Sequence, residues 1–369
     1  MKRTLIKKAQ FLNGTINDIY IENEKIIAIA PSIEKEVNKT IFAPKNSYIS
    51  AGWIDIHVHC FEKFELYADD ADKIGYTKGV TSVVDAGTSG ADNMSEFYAV
   101  AKTKKTHVYA LMNISRTGIY AQHELANMDL IDSKAFIETY KKFGNFIIGA
   151  KARMSASVVG NNNLQPLIKG KKIAKENNLP LMVHIGSNPP SLAKILEQLA
   201  PNDIVTHIFN PKPNGIIDID KKVKQIVFDA HERGILFDIG HGKDSFSFET
   251  AKLALDQGLK FDTISSDIYV RNRLDGPVYD LATTMSKFLV LGVPLIDIIN
   301  AVTIKAANSL NLTNIGEIAI GKRADFTFFK LQAGEKKLVD STGTWQTIQE
   351  YIQPTHVFLR DEFINLEEI

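Results

Sequence analysis

Apolar positions along the chain follow two different rhythms. In residues 1–50 they form short β-like runs with turn signals between them: TLIKKAQFL, then Asn13-Gly14, then DIYIENEKIIAIA, closed by Pro31. The C-terminal stretch behaves alike. ADFTFFKL (324–331) alternates, and HVFLRDEFI (356–364) is a further strand candidate. The two chain ends are therefore expected to meet in one small β-sandwich domain, residues 1–50 with 315–369.

Between them, residues 51–314 carry short continuous apolar runs separated by longer amphipathic stretches. The runs are GWIDIHVHC (52–60), VTSVVDAG (80–87), HVYALMNIS (107–115), FIIGAKARM (146–154), PLMVHIG (180–186), DIVTHIFN (203–210), ILFDIGHG (235–242) and DTISSDIY (262–269). Continuous rather than alternating runs suit parallel strands buried on both faces. SLAKILEQLA (191–200) and KKVKQIVFDAHERG (221–234) read as helices, the latter ending on a glycine. Eight strands alternating with helices predict an α/β fold of the (β/α)8 TIM-type barrel class. An open doubly wound sheet is disfavoured, because no glycine-rich phosphate turn follows an early strand.

Candidate chemistry gathers at the C-terminal ends of these runs, the active-site face of such barrels. Run one ends His57-Val58-His59, run four carries Lys151, run five His184, run six His207 and run eight Asp267. Side chains alternate along a strand, so His57 and His59 point the same way and can share an ion. Each residue alone has a plainer explanation: a core histidine with its hydrogen bonds satisfied, or a helix-capping aspartate. Lys151 fits the plain explanation badly, since an unpaired buried ammonium is costly. Six metal-competent residues at the same end of five runs decide for a metal centre.

Composition narrows the partners. Lys plus Arg and Asp plus Glu both number 43. That balance argues against nucleic acid or an anionic membrane as partner and leaves a small molecule. The lone Cys60 excludes an intramolecular disulfide and fits a reducing, cytoplasmic compartment. The N-terminal apolar run is too short for a signal peptide, and no stretch approaches the ~20 apolar residues of a membrane span. A homo-oligomer is compatible with such a chain.

The order H-x-H, Lys, His, His, Asp, with spacings of 94 from His57 to Lys151 and then 33, 23 and 60, resembles the amidohydrolase superfamily. Within it, the pattern is similar to the dinuclear branch with dihydroorotases, dihydropyrimidinases and related deacetylases. The lead-in SYISAGWIDIHVHC resembles the family's opening, with Ala51 where proline is usual. TIKAANSLNLTNIGEIAIGKRADFTFF (303–329) resembles its return into the β domain. The resemblance implies two divalent ions, zinc by ligand type with manganese or iron as alternatives. His57, His59 and Asp267 would hold one, His184 and His207 the other. Lys151, carboxylated by CO2, would bridge them. A metal-held hydroxide would attack the substrate carbonyl, with Asp267 as general acid and base.

For the substrate, Arg153 lies two residues past Lys151 on the same face and is a candidate carboxylate clamp. His241, between glycines at the end of run seven, Tyr120 in SRTGIY after run three, and Arg271 after Asp267 are further candidate contacts. Dihydroorotases usually carry a histidine soon after that aspartate; here DIYVRNRLDGP has none, which favours a deacylase-like hydrolase over a true dihydroorotase. Adenosine-type deaminases carry a glutamate in a histidine-x-x-glutamate pattern after the strand-five histidine. His184 is followed by Ile185-Gly186-Ser187. A non-catalytic dihydropyrimidinase-related protein would have lost ligands that are all present here.

Overall fold

The structure is a computed structural model that describes residues 2–64 and 66–369. The N-terminal strands are β1 (Arg3–Phe11), β2 (Ile16–Glu22), β3 (Lys25–Ala30), β4 (Lys39–Phe42) and β5 (Tyr48–Ala51). The run DIYIENEKIIAIA is two strands rather than one. Asn23 and Glu24 take left-handed backbone angles, φ 47° and 63°. Two such residues in succession make the tight hairpin turn whose twist matches the flanking strands.

Seven parallel strands follow in chain order: β6 (Trp53–Val58), β7 (Val80–Ala86), β8 (His107–Asn113), β9 (Ile147–Met154), β10 (Leu181–Ile185), β11 (Ile204–Thr206) and β12 (Leu236–Asp238). Their residues are almost all buried, as the continuous apolar runs predict. The eighth run, 262–269, forms no regular strand. It still closes the ring, bridging Asp238 through Thr263 on one side and Val58 through Ile268 on the other, both in parallel sense. Its backbone bonds both neighbours: His241 N donates to Ser265 O at 3.1 Å and Asp267 N to His57 O at 2.7 Å. Regularity is lost because Asp267 itself is left-handed, φ 50°. The result is a TIM-like barrel.

Helices such as Gln165–Glu176, Leu192–Gln198, Phe248–Asp256 and Leu281–Val290 connect the strands. The helix expected over 221–234 begins only at Gln225 and runs to Glu232. Residues before it are taken by a turn: Asp218 accepts from Lys222 N at 2.8 Å, Lys221 is left-handed at φ 59°, and Val223 bridges Ile217. A large core lies between strands and helices. A second gathers Ile54, Ile56, Leu111, Met182 and Ile204 with Ala306 and Leu310. Among the described residues, no helix is long and apolar enough to cross a membrane.

The chain then returns to the first sheet through β13 (Phe326–Val339), β14 (Trp345–Leu359) and β15 (Glu362–Asn365). HVFLRDEFI is again split, by left-handed Arg360 and Asp361 at φ 53° and 61°. The order is β15-β14-β13-β5-β1-β2-β3, with β4 on β1. Strand β5 therefore sits between the two chain ends, antiparallel to β13 and parallel to β1. Ile6, Ile19, Ile21, Ile49, Phe326 and Phe358 share its core. The β13–β14 hairpin runs far beyond β5 and β15, and its outer part buries Leu338 and Ile352 in the large core. The tip reaches the loop after β12, where Phe248 N donates to Asp340 Oδ2 at 2.8 Å.

Candidate active site

The C-terminal strand ends open into a cavity of about 250 Å³, lined by His57, His59, Lys151, His184, His207, Asp267 and Arg153. His57 Nε2 and His59 Nε2 lie 3.4 and 3.2 Å from the same oxygen of Asp267. Lys151 Nζ is 3.1 Å from His57 Nε2. Ligating atoms of His57, His207 and Asp267 fall within 4.8 Å of one another. His184 meets His207 edge-on, ring centres 4.5 Å apart.

Backbone strain contributes to this convergence. His207 and Asp267 have φ of 70° and 50°, a conformation that costs about 1–3 kcal/mol and clusters at functional sites. At His207 the left-handed turn breaks strand alternation. Thr206 and His207 are neighbours in sequence, yet both side chains serve the site.

Hydrogen bonds fix the tautomers. Thr206 donates to buried Asp238 Oδ2 at 2.7 Å, so its oxygen is left to accept His57 Nδ1–H at 2.9 Å. Thr88 donates to Asp85 Oδ2 at 2.8 Å and accepts His59 Nδ1–H at 2.7 Å. His207 Nδ1–H donates to Gly240 O at 2.5 Å. All three rings are thereby obliged to offer Nε2, the arrangement by which outer partners prepare metal-binding histidines. The aspartates and threonines concerned were not singled out in the sequence. Their signal was present: polar residues at the ends of runs two and seven, and Thr206 directly before His207.

Burial sets the charges. It holds His57 and His184 well below the ordinary imidazole range and brings His207 down to about 4, so these rings are neutral at pH 7. It also lowers Lys151 to about 7, against the pull of Asp267. Burial pushes Asp267 up, but its close contact with His59 and the electrostatic influence of the neighbouring His207 and Lys151 outweigh it and hold the carboxyl below its usual value. Beneath the site burial lifts Asp55, hydrogen-bonded to Ser266, to about 7.

The expected substrate contacts separate. Arg153 lines the cavity, but its Nε and Nη2 already grip Glu124 at 2.6 and 2.7 Å, and its guanidinium lies 5.7 Å from the centre of the Tyr67 ring. His241 is fully buried behind the wall, its ring stacked on Phe246 at 4.7 Å. Its flanking glycines admit neighbouring side chains rather than a ligand: a Cβ on Gly240 would strike Thr206 Oγ1, and one on Gly242 would strike Asp267 Oδ2. Tyr120 is 79% exposed, and neither it nor Arg271 lines the cavity. Tyr67, Lys212, Lys243 and Tyr269 do line it. Each lies on a loop beyond a strand end, where the apolar pattern gives no orientation.

Known proteins share this architecture. A solved structure described as an adenine deaminase superposes with a TM-score of 0.97 at 46% identity, covering 99% of this chain and 100% of that one. Another, described as a dihydroorotase, gives 0.90 at 32% identity, covering 99% of both. A protein of Enterococcus faecalis named Deacetylase is 48% identical over 352 residues, 95% of each chain. The amidohydrolase family profile matches residues 48–364. With that match spanning the barrel and the strand ends that carry its polar cluster, the chain belongs to the amidohydrolase family and is a hydrolase.

Proposed function

We propose that this protein is a dinuclear metal-dependent hydrolase that cleaves an amide or ester, deacylase-like or cyclic, in a small carboxylate-bearing substrate. The observation that carries this reading is the convergence of four histidines, Asp267 and a buried lysine on one cavity. His57, His59 and Asp267 would hold one ion, and His184 and His207 the other. Nitrogen and oxygen donors of this kind suit zinc. Lys151 would join the two ligand sets once carboxylated: its neutral amine would add to CO2, releasing one proton and leaving a carbamate anion. A lysine lowered to about 7 has that neutral form available. When bound, the ions supply an activated water and polarise the carbonyl to be attacked. Asp267, held ionised, accepts the proton of that water and delivers it to the leaving nitrogen or oxygen. We place this chemistry in a barrel of residues 51–314 and take 1–50 with 315–369 as a small β sandwich beside it.

The carboxylate is assigned to the cationic side of the cavity, where Arg153 keeps Nη1 free of Glu124 and Lys212 and Lys243 stand at the wall. Arg153→Met is expected to raise KM sharply for an acidic substrate and little for its methyl ester. Equal losses on both would make Arg153 a structural partner of Glu124.

Nucleobase deamination is the second reading, favoured by the neighbour described as an adenine deaminase. Against it stand Ile185-Gly186-Ser187, where a deaminase of the adenosine type has its glutamate. Purified protein should be assayed on N-acyl amino acids, O-acyl hydroxy acids, cyclic ureides and adenine. Release of ammonia from adenine without acyl cleavage would replace the first reading by the second.

A further inference from the structure

Lys287, on the helix Leu281–Val290, is fully buried outside the cavity and is used by no step above. Its Nζ lies 2.7 Å from His241 Nε2 and 2.9 Å from Pro277 O. Since His241 Nδ1–H donates to Gly242 O at 2.8 Å, Nε2 must accept, and Lys287 donates to both partners. Among the described residues no carboxylate forms an ion pair with it. An apolar side chain there would avoid the cost of burying an ammonium.

Both partners sit on loops that build the site. His241 belongs to the loop after β12. That loop supplies Gly240 O to His207, packs Gly242 against Asp267 and carries Lys243 into the cavity wall. Pro277 belongs to the segment after the eighth run. There Asn272 Nδ2 donates to the Asp267 carbonyl at 2.8 Å. The hairpin tip braces the first loop from outside, with Ser341 N donating to Phe246 O at 3.0 Å.

We propose that Lys287 is a positioning residue that ties these two loops together from behind and so fixes His207 and Asp267 relative to each other. It acts through His241 and Pro277, not on substrate. The role rests on the metal-centre reading above.

The test is a cycle of Lys287→Met, His241→Leu and the double variant. It is read by apo-protein Tm, by the visible spectrum of cobalt(II)-loaded protein, and by kcat and KM. Each single variant strands a buried partner and lowers Tm. The double variant removes both and regains much of it. If the tie positions the site, the cobalt spectrum stays altered in all three. In that case kcat stays down on the order of tenfold, with KM little changed, even where Tm has recovered. A double variant that regains wild-type spectrum and kcat together with Tm overturns the proposal, as do single variants with an unaltered spectrum. Should Lys287→Met not fold, His241→Leu cuts the same tie from the other end. Absence of hydrolysis by the wild-type protein counts against the hydrolase reading alone, because the spectrum still decides the tie.

Discussion

His57 and His59 each donate a hydrogen bond from Nδ1 to a threonine anchored on a buried aspartate, whereas His207 leans on one backbone carbonyl and His184 on ring packing. The first pair is a two-tier construction. Asp238 accepts from Thr206, Thr263 and Ser265, at 2.7, 2.8 and 2.7 Å, and so ties β11 and the eighth run to one carboxylate. The second pair depends on the loop after β12 keeping its place. The difference teaches that the two pairs are braced unequally, so that on the proposed dinuclear reading the ion near β6 would be held more firmly.

The largest break comes from removing what joins the two halves. Lys151→Ala is expected to lose both ions, from about two equivalents towards none, with turnover falling in parallel. Short carboxylic acids should restore part of it by replacing the bridge. Full activity with both ions bound would refute the bridge. Next is Asp267→Asn, which keeps one oxygen for a metal but takes no proton at neutral pH. A fall in kcat of ~10²–10⁴-fold with little change in KM is expected. Unchanged kcat in a fully metallated variant removes Asp267 from proton transfer.

A finer cut separates the halves. Thr206→Val and Thr88→Val each leave a histidine Nδ1 without its relay, for an expected loss of about 10–100-fold in metal affinity. In wild-type protein a chelator should strip the ion of the His184 pair first. In the threonine variants that order should blur or invert. Two ions leaving together in every protein would erase the distinction. The smallest effect is on the apo protein. His207 protonates only near 4 when folded, but near ~6.5 when unfolded. The unfolded chain thus binds more protons across that window, and stability must fall as pH drops through it. A flat Tm between pH 7 and 4 would contradict the buried neutral histidines.

Much of the architecture was legible because buried parallel strands write themselves as continuous apolar runs. Seven of the eight runs are strands, and the eighth, around Asp267, closes the ring without strand geometry. The six polar residues at strand ends all line one cavity. What stayed hidden depends on backbone angles and distant partners. Neither Asn23-Glu24 nor Arg360-Asp361 carries the glycine that usually announces a left-handed pair. Arg153, on β9, looked free because Glu124, its partner, lies 29 residues earlier on the loop after β8. His241 looked accessible because its glycines suggested open space, while the groups filling that space come from β11 and the eighth run.

The position of β5 between the two chain ends also bears on the birth of the protein. Its edge pairs with Phe326–Phe329, residues made after the whole barrel. At about 5–20 residues per second of synthesis, that edge waits on the order of tens of seconds for its partner. Gly52, the next residue, donates to Asp325 O at 2.7 Å, and β6 with its two histidines begins directly after it. The first stave of the barrel can thus pair with β7 early in synthesis, while its link to the C-terminal strands forms only after the last run of the barrel has been made.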